Sequence, residues 1–189
     1  MATRKQYSFG DFITFHDKQR EAFKHIGQGV RLFFGGARGG GKSAFSLGAA
    51  VYCAKKYPGM QIVCIRRRYF DLQHTFIHPL QEYYPQEVFK YRYLKKEKTA
   101  EFKNGSRIIF KACDKEADAE DIQGVEFQLI IIDEANNLEE IILHKIVGSL
   151  RKSSRMVGLA GFKPSLIMTG NPGGISDLYF KTRFVAPDY

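Results

Sequence analysis

The stretch VRLFFGGARGGGKSAFSLGAAVYCAKKY, residues 30–57, decides how the chain folds. Its apolar start, Val30 to Phe34, ends in glycines and reads as a buried strand. Its alanine-rich second half, from Lys42, reads as a helix stopped by the Pro58-Gly59 turn. Between the two, Gly36, Gly41, Lys42 and Ser43 satisfy G-x-x-x-x-G-K-S, and a strand before with a helix after is the context that pattern requires. Glycines let backbone N–H groups turn toward phosphate oxygens, and the helix N-terminus adds positive partial charge. The span Gly36, Ala37, Arg38, Gly39, Gly40, Gly41, Lys42, Ser43 is therefore the candidate nucleotide cradle. Lys42 is expected to reach the β- and γ-phosphates, and Ser43 to place its hydroxyl on Mg²⁺. Arg38 is a cation that phosphate binding alone does not need.

Working outward, DKQREAFKHI (17–26) has helical spacing of apolar residues, and QIVCIRR (61–67) reads as a second buried strand. A helical stretch follows from about Asp71 to Tyr84. In KTAEFKNGSRIIFKAC (98–113), Asn104-Gly105 between two strand-like runs predicts a hairpin with a type I′ turn. Its polar character suggests an edge insertion outside the core. FQLIIID (127–133) is the most apolar strand, followed by a helix from about Leu138 to Leu150 and a further strand, SLIMTG (165–170). Strands alternating with helices imply an α/β fold: a mostly parallel central sheet flanked by helices, with an antiparallel hairpin at one edge.

LIIIDEAN (129–136) delivers Asp133 to the carboxyl edge of the sheet, where ligands bind in open α/β folds. Asp133 is the expected carboxylate for Mg²⁺, directly or through water, and Glu134 the one that polarises an attacking water. MTGNPGG (168–174) ends another strand in Thr169, Gly170 and Asn171, placed to report on a γ-phosphate. Gln19, shortly before the first strand, carries a donor and an acceptor that suit the edge of adenine. The plainer readings are a helix cap for the carboxylates, an Asn-Pro-Gly turn for Asn171 and a solvated helix residue for Gln19.

A chain of 189 residues fits one domain. No long apolar run suggests a membrane span, and the start MATRKQYSFGDF lacks the apolar core of a secretory signal. Cys53, Cys64 and Cys113 lack C-x-x-C spacing and read as reduced, partly buried thiols of a cytoplasmic protein. The formal charge of +9 favours a polyanionic partner, with a merely solubilising surface as the alternative.

Together HDKQREAF, GGARGGGKS, IRRRYFDL, DIQGVEFQLIIIDEAN and MTGNPGG resemble the ATPase domain of phage large terminase subunits, from about Phe15 to Phe184. The resemblance implies a RecA-like P-loop ATPase that hydrolyses ATP with Mg²⁺ to translocate double-stranded DNA, without sequence preference, into a procapsid. It implies adenine recognition by Gln19, phosphate contacts from Arg38, Lys42 and Ser43, and metal binding by Ser43 and Asp133. Glu134 resembles the catalytic glutamate, with Arg38 and Lys42 supplying charge, and Thr169, Gly170 and Asn171 the coupling motif. Implied partners are a portal protein, a small terminase subunit, a C-terminal nuclease domain and a ring of identical subunits in the host cytoplasm. Residues 1–189 read as one domain: an N-terminal segment to 29, a core over 30–175 and an extension over 176–189, with no nuclease domain.

One departure stands out. Some relatives carry a trans-acting arginine just before the glycine that precedes the acidic strand, and here EDIQG (120–124) has Gln123 there. Arg66, Arg67, Arg68, Arg151 and Arg155 are the replacement candidates. KTAEFKNGSRIIFK and RKSSR (151–155) are candidate DNA-contact loops. A helicase-type ATPase and a nucleotide-gated DNA-binding assembly module with little turnover are the competing readings.

Overall fold

The computed structural model describes residues 10, 12–37, 39–152 and 161–185. Helix α1 (Asp17–Lys24) leads into strand β1 (Arg31–Gly35), helix α2 (Lys42–Lys56) and strand β2 (Gln61–Arg66). A run of helical pieces follows: α3 (Tyr69–Leu72), a π-helical segment (Gln73–Ile77), α4 (His78–Tyr83) and α5 (Gln86–Phe89). Strands β3 (Tyr91–Leu94), β4 (Thr99–Phe102) and β5 (Arg107–Ala112) precede α6 (Glu116–Gln123) and β6 (Leu129–Ile132). Helix α7 (Glu140–Val147), strand β7 (Ser165–Gly170) and helix α8 (Asp177–Phe180) complete the order.

The seven strands form one sheet in the order β1-β7-β6-β2-β5-β4-β3. From β1 to β5 all neighbours are parallel, while β4 pairs antiparallel with β5 and β3 with β4. Strand β6 is the middle one of the five parallel strands, and every one of its residues is buried, as expected where helices cover both faces of a parallel sheet. Period-two alternation divides its side chains between two cores. Leu129 and Ile131 join Phe45, Ile62 and Ile167 on the α2 face. Ile130 and Ile132 join Val63, Met168 and the α7 residues Ile142 and Ile146 on the other.

Three expectations change. Strand β1 is only partly buried, because it is the outermost strand of the described sheet with β7 as its single strand partner. The hairpin is not peripheral throughout: β5 continues the parallel sheet, and Ala100, Phe102, Ile108 and Phe110 are core residues. Nor is its turn type I′, which needs positive φ at both central residues. Only Gly105 has it, at φ 83°. Phe102 N donates to Ser106 O and Gly105 N to Phe102 O, giving a three-residue loop closed by the glycine. Asn104 has another task. Its amide donates to the carbonyls of Ala54 and Lys55 at 2.8 and 3.2 Å, satisfying acceptors that the last turn of α2 leaves open.

The stretch predicted as one helix from about Asp71 is helical but passes through the π segment, one turn before Pro79. Proline removes a backbone donor and crowds the preceding turn, and the widened turn aims Thr75 at Arg66. Among the described residues no helix is long and apolar enough to cross a membrane. All three cysteines are free and buried rather than partly so. Burial pushes the Cys53 and Cys113 thiols up to about 12, and that of Cys64 higher still. All three thiols therefore stay protonated at neutral pH and poor nucleophiles. A thiol-specific reagent at pH 8 is expected to label none of the three in the native protein and all of them in denaturant; rapid native labelling would show that the sheet opens there.

Candidate functional site: a nucleotide cradle at the carboxyl edge of the sheet

The parallel register brings the C-terminal ends of β1, β7, β6 and β2 to one edge, where β1 leads into the glycine loop and β7, β6 and β2 deliver Thr169, Asp133 and Arg66. Gly41, at φ 69°, turns the loop after β1 into the first turn of α2. A side chain at that position would lie 2.8 Å from Gln19 Nε2 and would also be strained by the positive φ. The loop from Gly39 to Ala44, Asp133, Glu134 and Asn171 line a cavity of about 370 Å³.

Within it Ser43 Oγ lies 3.1 Å from both oxygens of Asp133. Asp133 is 2% exposed, a costly position for a carboxylate unless donors surround it. Besides Ser43 it accepts from Thr169 Oγ1 and pairs with Arg66 Nη1 at 3.1 Å. The Thr169 hydroxyl also accepts from the backbone N–H of Glu134 at 3.2 Å, tying the ends of β6 and β7 together. Glu134 sits at φ 53°, ψ 45°, a left-handed conformation that costs about 1–3 kcal/mol outside glycine. Its carboxylate is held by Arg66 Nη2 at 2.7 Å and by Asn137 Nδ2 at 3.2 Å. Lys42 folds across its own loop, donating to the carbonyls of Gly36 and Ala37 at 2.9 and 2.7 Å.

A serine hydroxyl beside one carboxylate is a hard-oxygen donor set. It suits Mg²⁺, which takes its remaining ligands from phosphate and water rather than from a protein cage. No group of three or more His, Cys, Asp or Glu side chains is gathered as a metal site among the described residues.

Gln19 is buried against the loop. Its Oε1 accepts from His16 N at 2.9 Å and its Nε2 donates to Gly41 O at 3.0 Å, so it fastens α1 to the cradle. Arg38 lies outside the described residues, as do the Ser153–Arg155 part of RKSSR and the final residues 186–189. Gln123 is exposed at the end of α6 and donates to Lys145 O. Arg67 pairs with Asp114. The turn of the proposed contact hairpin lies against the C-terminal end of α2, at the sheet edge opposite the cradle, and Arg107 there is paired with Glu101.

Arg66 appeared in the sequence only as a candidate for action in trans. The structure turns it inward, and the reason is register: Ile65 is level with Ile132, so the next residues, Arg66 and Asp133, face each other across adjacent strands. That adjacency of β2 and β6 was not readable from one sequence. Asn136 and Asn137, following the acidic pair, were likewise missed.

The family model for the phage terminase large subunit matches residues 28–189. The chain belongs to that family. Among solved structures, the large terminase of a thermophilic bacteriophage superposes with a TM-score of 0.65 at 16% identity, covering 92% of this chain and 43% of that one. The same enzyme in complex with ATP-gamma-S gives 0.64 at 15% identity, over 93% and 42%. The large terminase ATPase domain of Thermus phage P74-26 gives 0.63 at 19%, over 88% and 69%. The chain thus has the RecA-like fold of these ATPase domains, and spans less than half the length of the first of these proteins. The comparison with curated proteins found no match.

Removing one partner of a buried ion pair leaves the other uncompensated, at a cost of about 3–5 kcal/mol. Arg66→Ala is expected to lower the unfolding free energy in urea by that order, and more than Arg67→Ala, whose pair is exposed.

Proposed function

We propose that this terminase chain is a motor ATPase that hydrolyses ATP with Mg²⁺ and couples hydrolysis to translocation of double-stranded viral DNA. The observation that carries the reading is the contact of Ser43 with Asp133, with Glu134 beside them, at the mouth of the glycine loop. Phosphoryl transfer needs little covalent help from a protein; positioning and charge stabilisation supply most of the rate.

In this reading backbone N–H groups of Gly39 to Ser43 cradle the phosphates, and Lys42 exchanges its loop carbonyls for phosphate oxygens. Ser43 and Asp133 hold Mg²⁺, which neutralises phosphate charge when bound. Glu134 orients the attacking water and draws off its proton. Arg38, inside the loop, supplies charge to the transferring group. Thr169, whose hydroxyl already bridges Asp133 and Glu134, relays the state of the site into Gly170 and Asn171. Gln19 reads adenine by giving up one of its internal partners.

The DNA grip is backbone-directed, since a motor must pass any sequence, and the net charge of +9 supports a polyanionic substrate. A ring of identical subunits at the procapsid portal, a small terminase subunit, a C-terminal nuclease domain and the host cytoplasm complete the proposal. The hold of Arg66 on Glu134 favours one second reading, a nucleotide-gated assembly module with little turnover. ATP hydrolysis measured with and without DNA and portal separates the two.

Glu134→Gln is expected to abolish hydrolysis while ATP still binds. Turnover close to that of the unmodified chain would remove Glu134 from water activation. Arg38→Ala should lower kcat by about 10²–10³-fold, in the range for loss of one transition-state charge contact, with ATP affinity little changed. Equal losses in both would make Arg38 an ordinary phosphate contact.

A further inference from the structure

Beyond the acidic pair, the sequence DEANN (133–137) places two asparagines whose contacts the ATPase reading leaves unexplained. Asn136 is 4% exposed. Its Nδ2 donates to Gly173 O, in the loop after the coupling strand, and its backbone carbonyl accepts from Ser176 N at 3.0 Å. The same Nδ2 lies 3.5 Å from Asn137 Oδ1, and Asn137 Nδ2 in turn donates to Glu134 Oε2 at 3.2 Å. Two hydrogen bonds, joined by a weak 3.5 Å contact between the two amides, therefore lead from the carbonyl of Gly173 to the carboxylate of Glu134.

The fit around Asn136 is close on both sides. A Cβ on Gly170 would lie 2.7 Å from Asn136 Oδ1, and one on Gly174 would lie 2.5 Å from Asn136 O and 2.6 Å from its Nδ2. Gly174 also has φ 105°. Asn136 Oδ1 and Asn171 Oδ1 are both buried without a hydrogen-bond partner among the described residues. Such groups are rare in native structures and call for an explanation. The loop is thus held to Asn136 by its side-chain amide and its backbone carbonyl, while two amide oxygens beside these contacts remain acceptors without a donor.

We propose that Asn136 and Asn137 are positioning residues that form a relay between the Gly170–Ser176 loop and Glu134, so that movement of this loop re-aims the Glu134 carboxylate. The inference rests on the assignment of Glu134 to water activation. Neither asparagine acts on ATP itself. When Asn171 and its loop shift, the bond from Asn136 to Gly173 lengthens or exchanges, and Asn137 loosens or tightens its hold on Glu134. The relay runs separately from Thr169, which grips the backbone of Glu134 rather than its carboxylate.

The test is hydrolysis and nucleotide affinity for the full chain and seven variants, with thermal unfolding of each as the folding control. Asn136→Asp keeps the shape but loses the N–H donor to Gly173. Gly174→Ala wedges the same contact from the opposite side without touching either asparagine. Both are expected to lower kcat by up to about 10²-fold, the penalty for a misplaced catalytic group, with KM and ADP affinity unchanged. Their double variant should lose no more than the worse single one, because both break one contact. Asn137→Ala should lower kcat in the same way, while Asn137→Gln, which keeps an amide, restores part of it.

Lys42→Ala separates the two levels of the argument. Loss of ATP binding in Lys42→Ala, with unchanged kcat in folded Asn136→Asp and Gly174→Ala, would overturn the relay and leave the ATPase reading standing. Unchanged hydrolysis in both Lys42→Ala and Glu134→Gln would overturn that reading and the relay with it. Equal loss of kcat and ADP affinity in the Asn136 and Gly174 variants would reduce the contact to scaffolding of the cradle, and the relay would fail.

Discussion

The buried carboxylate of Asp133 is the constraint around which the site is organised. A charge at that depth is tolerable only when donors reach it from several directions. Here they come from three elements: Ser43 from α2, Thr169 from β7 and Arg66 from β2. Satisfying one carboxylate therefore fixes the relative positions of the phosphate loop, the coupling strand and the neighbouring strand of the sheet. The geometry that suits a divalent cation beside phosphate is to that extent a by-product of solvating a buried anion.

Glu134 shows the opposite economy. Its backbone is in a conformation that side chains seldom adopt, and it persists because Thr169, Arg66 and Asn137 hold it from separate sides. Strain at a residue with a catalytic assignment means that small shifts in its neighbours change its direction. A relaxed residue in a broad energy well would not respond in this way. Lys42 likewise is folded on its own loop, with the carbonyls of Gly36 and Ala37 as its partners.

The parts legible in the sequence were those governed by local chemistry. The glycine loop, its flanking strand and helix, and the acid-ending strand each follow from residues within a few positions of one another. The status of β1 as an outer strand and of β5 as a core strand was not legible, because sheet order is set by pairings between distant segments. The same limit hid the inward turn of Arg66, which depends on β2 lying beside β6. The hairpin was found by its Asn-Gly pair, but its turn type was misread. Asn104 is recruited by the last carbonyls of α2 rather than by the turn alone, a demand from 50 residues away that local pattern cannot reveal.

That recruitment of Asn104 has a mechanical side. Helix α2 begins at the phosphate loop, where Gln19 grips its first turn, and ends on the amide of Asn104. It is 15 residues long, so it spans about 22 Å. Anchored at both ends and buried along most of its length, it behaves as a strut rather than a spring. Its two ends therefore join the loop after β1 to the β4–β5 turn on the far rim. A rim distant from the cradle is thus tied to it through a single rigid element.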